Sequence, residues 1–153
     1  MCWGYNCFMI TRNENETIEL GYRLGQLLKR GDVVCLNGDL AGGKTTFTKG
    51  IGKALNVKSI VNSPTFTILK IHNGDMPLYH IDAYRLEGNS YDLGISEYEE
   101  EGITVVEWPE YYTDFLPDDY INVYFTYIDD ETREISIESH GDKYLDIVKE
   151  LAC

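Results

Sequence analysis

The segment LNGDLAGGKTTFTKG, residues 36–50, decides how this chain is read. Gly38, Gly43, Lys44 and Thr45 satisfy the pattern G-x-x-x-x-G-K-[ST], which carries meaning only between a buried strand and a helix start. Both flanks are present. DVVCLNGD, residues 32–39, is a short and nearly all-apolar run, as a strand buried on both faces requires. Beyond the glycines, Phe47, Ile51, Ala54 and Leu55 recur at helical spacing up to Asn56. Glycines let a backbone curl so that successive N–H groups converge on phosphate oxygens, and the helix start adds its positive dipole end. In such a loop Lys44 reaches the β- and γ-phosphates and the Thr45 hydroxyl ligates Mg²⁺. Asp39, Leu40, Ala41, Gly42 and Thr46 complete the candidate phosphate cradle.

Working outward, NENETIELGYRLGQLLKRGD predicts a first helix. Asn13 is its cap and Glu16 occupies the capping-box position. Ile18, Gly21, Leu24, Leu27 and Leu28 share one face, and Gly31 stops the helix. TFTILKIHNGDMPLYHIDAYRL reads as two strands around Asn73-Gly74, and YINVYFTYIDDETREISIES as a second hairpin around residues 129–132. ITVVEW, residues 103–108, is another buried strand ending in a carboxylate. SYDLGISEYEEEG is read as a mobile or helical acidic segment, and KYLDIVKEL as a closing helix with Tyr144, Ile147, Val148 and Leu151 on one stripe. The expectation is one compact α/β domain over residues 11–153, preceded by a short extension over residues 1–10 in which Met9 is a candidate alternative start.

Composition narrows the function classes. The chain has 153 residues, enough to bury about two-thirds of its unfolded surface around a single core. No apolar run approaches the roughly 18 residues that span a bilayer, so no membrane association is expected. Cys2, Cys7, Cys35 and Cys153 form no C-x-x-C pair and no zinc spacing, which favours unpaired thiols in a reducing cytoplasm. The net charge of −13 repels phosphate backbones, so any RNA contact is expected to come mainly through partners. An acidic surface also serves solubility alone.

A Mg²⁺–nucleotide site needs carboxylates at the end of a strand beside the loop. Glu107 closes ITVVE in that way, and Asp82 in YHIDAYR is the second candidate. Local sequence does not separate direct metal ligand from water-positioning base between these two. A His80–Asp82 transition-metal pair lacks a third ligand of suitable spacing. In NSPTFT, Thr65 is a candidate sensor of the γ-phosphate with Ser63 beside it, although the same letters suit a Ser-Pro turn entering a strand. Trp108 fits equally a packed aromatic, a partner contact or a ring beside the nucleotide.

GDLAGGKTTFTKG, SPTFT, YHIDAYRL and VVEWPE occur in this order, and over residues 11–140 the chain resembles the TsaE family. That family is the ATPase subunit of the bacterial machinery making threonylcarbamoyladenosine in tRNA. The resemblance implies a P-loop NTPase-like three-layer α/β domain, its sheet mostly parallel with antiparallel hairpin additions. It implies ATP with Mg²⁺, and a TsaB–TsaD complex as partner, in which TsaD performs the transfer and TsaE's ATPase cycle supports turnover. Lys44 and Thr45 match the family's loop lysine and metal-ligating threonine. Asp82 matches the acid of its H-x-D-x-Y-R motif, Glu107 the metal-contacting acid of its E-W motif, and Trp108 the adjoining tryptophan. Ser63 to Thr65 match its switch-like segment. The family commonly reads G-D-L-G-A-G-K-T, whereas Ala41 and Gly42 exchange two of those residues here. An alanine forced to positive φ would cost about 1 kcal/mol.

Two other readings use the same loop. A small-molecule kinase usually brings several arginines over the phosphates, and only Arg85 of the five arginines falls beside a motif. A nucleotide-gated binding module would couple ATP binding to partner affinity with negligible turnover. A GTPase is disfavoured because no N-K-x-D occurs.

Overall fold

A computed structural model of the chain describes residues 2–3, 6–38, 43–59, 61, 68–86 and 99–152. In chain order the strands and α-helices are β1 (Cys2–Trp3), β2 (Asn6–Thr11), α1 (Glu14–Leu27), β3 (Val33–Asn37), α2 (Lys44–Ala54), β4 (Leu69–His72), β5 (Leu78–Asp82), β6 (Ile103–Glu107), β7 (Tyr120–Tyr127), β8 (Arg133–His140) and α3 (Leu145–Leu151). Short 3₁₀ turns occupy Ala83–Leu86, Glu99–Glu101, Pro109–Tyr111 and Thr113–Phe115.

The expected cap forms. Asn13 accepts a bond from the Glu16 amide at 2.9 Å, while the Glu16 carboxylate accepts from the Arg12 amide at 3.0 Å. Gly31 follows the helix at φ 92°, a left-handed conformation that glycine reaches at little cost. The buried stripe of α1 is Thr17, Leu20, Gly21, Leu24 and Gly25, with Ile18 only half-buried. The stripe is rotated because α1 crosses α2 through glycines. A Cβ at Gly21 would fall on the Phe47 carbonyl, and one at Gly50 on the Ile18 carbonyl.

Among the described residues the sheet has eight strands in the order β1-β2-β8-β7-β3-β6-β5-β4. Parallel pairing joins the central strands β7, β3, β6 and β5. Antiparallel pairing adds β4 at one edge and β8, β2 and β1 at the other. The antiparallel share therefore exceeds the two expected hairpins. Residues 6–10, read from the sequence as part of an extension, belong to β2, which pairs with β8 over its whole length from Asn6↔Glu138 to Thr11↔Arg133. A strand with a full ladder satisfies its backbone groups, so this segment is integral to the sheet.

Alternation along the strands divides the core in two. Val34, Leu36, Ile103, Val105, Ile121 and Val123 pack under Leu24, Phe47, Ile51 and Val148 of the three helices. Val33, Cys35, Tyr79, Ile81 and Val106 face the opposite way, beneath Ala83, Leu86 and Tyr112. Among the described residues the third layer is thus built of 3₁₀ turns rather than α-helices. Asp32, buried before β3, accepts bonds from the Lys29 amide at 2.7 Å and the Tyr144 hydroxyl at 2.8 Å, anchoring the start of α3 to the central strand. Cys7 and Cys35 are buried, and burial pushes the Cys35 thiol up to about 12, which leaves it unreactive.

Candidate functional site

β3 runs directly into Gly38, and α2 begins directly after Gly43, as the phosphate-loop pattern requires. Gly38 has φ 142°, and a Cβ there would lie 2.7 Å from the Phe125 carbonyl oxygen. Gly43, the N-cap of α2, has φ 96° and ψ 12°. Both positions exclude ordinary side chains for backbone reasons. The first intrahelical bond of α2 is Phe47 N–H to Gly43 O at 2.9 Å, so the amides of Lys44, Thr45 and Thr46 face out of the helix start. Asp39, Leu40, Ala41 and Gly42 lie outside the described residues, as do Ser63 and Thr65. The Ala41–Gly42 exchange and the proposed γ-phosphate sensor fall there with them.

The carboxylates are placed by strand register. Asp82 and Glu107 are direct partners at the ends of the parallel strands β5 and β6, on the edge where β3 releases Gly38. The carboxyl ends of parallel strands are where open α/β sheets bind ligands. Side chains paired in this way point to the same face of the sheet, here the face carrying α2. Asp82 is half-buried, and its Oδ1 accepts from the Tyr84 amide at 3.2 Å. Glu107 is 5% exposed.

Lys44 is brought against them. It is 3% exposed, its Nζ donates to the Gly38 carbonyl at 2.9 Å, and it lies 3.9 Å from Glu107 Oε1. The Trp108 ring covers the ammonium, with 4.2 Å from Nζ to the ring centroid. Trp108 thus stacks on the site lysine and touches Tyr84. Trp108 reaches this pose at φ 59° and ψ 55°, a left-handed conformation costly for a bulky side chain. Of the sequence-identified residues, Gly38, Gly43, Lys44, Asp82, Glu107 and Trp108 therefore converge, with Thr45 and Thr46 in the adjoining helical turn.

Two placements escape the sequence reading. His80, considered in the sequence beside Asp82, contacts Glu107, with Nε2 2.6 Å from Oε2. Among the described residues no group of three or more His, Cys, Asp or Glu side chains is arranged to hold a metal. Arg133 lies beside Gly43, where it helps line a cavity of about 350 Å³ with Glu14, Thr17 and Thr46. Its position at the start of a β-strand carries no motif. Only the β2–β8 pairing and the return of the β7–β8 hairpin bring it to α2.

The donor set suits a hard cation. A threonine hydroxyl and two neighbouring carboxylates are oxygen ligands of the kind Mg²⁺ takes, with water and phosphate completing the octahedron. Gly38 and Gly43, both at positive φ, let the backbone bend toward an anion at the helix start.

Fold and site together define an α/β protein of the P-loop-like class. The model of the family "Threonylcarbamoyl adenosine biosynthesis protein TsaE" matches residues 11–135. The chain is 42% identical over 144 residues to the tRNA threonylcarbamoyladenosine biosynthesis protein TsaE of Bacillus subtilis (strain 168), covering 93% of this chain and 91% of that protein. It is 37% identical over 131 residues to the protein of the same name from Treponema pallidum (strain Nichols), covering 84% and 97%. A solved structure described as Bacillus subtilus YdiB superposes with a TM-score of 0.83 at 34% identity, covering 99% of this chain and 97% of that one. The chain belongs to the TsaE family.

Proposed function

We propose that this protein is a Mg²⁺-dependent ATPase of the cytoplasm that supports threonylcarbamoyladenosine modification of tRNA in a complex with TsaB and TsaD. The observation that carries the reading is the convergence of Lys44, Glu107, Asp82 and the start of α2 at one edge of the sheet. Family membership supports the tRNA-modification role, and the net charge of −13 is consistent with tRNA contact made mainly through the partners.

ATP's phosphates would rest on the amides of residues 40–46, with Lys44 neutralising charge as the γ-phosphate departs. Thr45, Asp82 and Glu107 would hold Mg²⁺, directly or through water. The ion would supply charge neutralisation to the phosphates. Phosphate oxygens would replace the Gly38 carbonyl and Glu107 as partners of the Lys44 ammonium. Trp108 excludes water from one side of that ammonium, which strengthens its interaction with an incoming anion. Glu107, relieved of Lys44, is then free to orient a water or the metal.

The test is ATP hydrolysis with Mg²⁺ by the purified protein, alone and with its own TsaB–TsaD partners, with Lys44→Ala as control. Stimulation by the partners that disappears in the variant is expected. Normal hydrolysis by Lys44→Ala would show that the site is wrongly placed, and absence of any partner response would remove the tRNA-modification role.

A further inference from the structure

His80 lies in the middle of β5, fully buried and two residues before Asp82. Its register partner on β6 is Val105, so Glu107 stands diagonally across the parallel pair. The imidazole makes one contact of hydrogen-bond length, Nε2 to Glu107 Oε2 at 2.6 Å. Its Nδ1 is buried without a hydrogen-bond partner among the described residues. A leucine would fill the same volume and leave no orphaned nitrogen, so packing alone does not account for a histidine here.

The consequence lies in Glu107. A glutamate ending a strand has three rotatable side-chain bonds and water beside it. With Oε2 fixed by a buried imidazole, Oε1 is left to point at Lys44, 3.9 Å away. Holding a carboxylate by one oxygen through a histidine is the arrangement by which outer groups orient ligands at metal and phosphoryl-transfer sites.

We propose that His80 is a positioning residue, which holds Glu107 through the Nε2–Oε2 bond so that its other oxygen serves the Mg²⁺–nucleotide complex. The inference rests on the proposed nucleotide site and adds a residue to it. Its test compares His80→Leu, which keeps bulk, with His80→Gln, whose amide nitrogen can replace Nε2–H. ATP affinity is measured by calorimetry with Mg²⁺ and with EDTA, alongside hydrolysis. In His80→Leu the gain in affinity that Mg²⁺ confers, or the turnover, should fall about tenfold, equivalent to about 1.4 kcal/mol. Affinity in EDTA should stay at the wild-type level, and His80→Gln should restore most of the loss. If His80→Leu keeps both the Mg²⁺ gain and the turnover of wild type, the inference is overturned while the nucleotide site stands. Wild-type protein that binds no ATP would instead overturn the proposed function and this inference with it. Should His80→Leu not fold, the imidazole ¹⁵N resonances of the wild-type chain decide. The His80 Nε2 signal is expected to move in Glu107→Gln, and an unmoved signal overturns the inference.

Discussion

Lys44 and Glu107 form an ion pair of 3.9 Å in which both side chains are almost fully buried. Buried charges are tolerable only when paired and hydrogen-bonded, and each partner here has a second contact, Lys44 with the Gly38 carbonyl and Glu107 with His80. The residues proposed to meet a nucleotide are thus paired with each other. A double-mutant cycle of Lys44→Met and Glu107→Gln, read by urea denaturation without nucleotide, should return a coupling of about 1–3 kcal/mol. Additive effects would show that the pair is not formed in solution. Both single variants are expected to lose Mg²⁺-dependent ATP turnover.

Gly38 and Gly43 should respond differently to alanine. At Gly38 the φ of 142° and the Phe125 carbonyl 2.7 Å from a would-be Cβ act together, and a loss of roughly 1–3 kcal/mol is expected. Gly43→Ala has room around its Cβ, with Arg133 Cγ the nearest atom at 3.7 Å. Its cost should be close to the left-handed backbone term, about 1 kcal/mol, seen as a small shift in the denaturation midpoint and a larger loss of ATP affinity. Equal destabilisation by the two variants would contradict this ordering.

Gly50 offers a test in which local propensity and packing predict opposite signs. Replacing a glycine inside a helix by alanine normally stabilises by roughly 1 kcal/mol. Here the Cβ would strike the Ile18 carbonyl and crowd the Tyr22 amide at 2.7 Å, both backbone atoms that cannot swing aside. Gly50→Ala is expected to lower the melting temperature, and a higher one would refute the α1–α2 crossing.

Trp108 should report on the site. Its ring lies 4.2 Å from the Lys44 ammonium, so drawing that ammonium toward phosphate changes the ring's surroundings. Adding Mg²⁺–ATP is expected to change tryptophan emission, and Trp108→Phe to abolish the change although Trp3 remains. A response preserved in Trp108→Phe would contradict the assignment.

His72 predicts an acid-sensitive stability. Burial, then the nearby His80 and Lys70, hold its pKa below the usual value of 6.5. As pH falls below about 6.5, the unfolded chain takes up a proton that folded His72 resists, so stability is retained above that pH and lost below it. His72→Asn, which can keep a bond to Ser59 Oγ in place of the 2.8 Å contact of Nδ1, should flatten the fall of the urea midpoint between about pH 7 and pH 5. An unchanged slope would exclude His72 as its source.

Much of this architecture was legible along the chain. The α1 cap, the Gly43–Lys44 boundary and the hairpin at Asp129 each depend on a few neighbouring residues. Asp129 shows why: its Oδ1 accepts the Glu131 and Thr132 amides at 3.0 and 2.8 Å, closing the turn with its own side chain. Local hydrogen bonds and the periodicity of apolar side chains are properties of short segments, and they survive in the one-dimensional string.

The rest arises between distant segments. The strand character of residues 6–11 is decided by β8, because a short strand is stabilised by its partner's ladder more than by its own pattern. That Asp82 and Glu107 are neighbours follows from parallel register, and that His80 holds Glu107 across 27 residues follows from the same register seen diagonally. Trp108 covers Lys44 only because the chain turns left-handed after β6. Phosphate chemistry could be proposed from residue types at fixed spacing, since a phosphate loop binds through its own backbone. The geometry around Lys44 and Glu107 required the sheet, because contacts between separated segments are selected by burial of the whole core and leave no local signature.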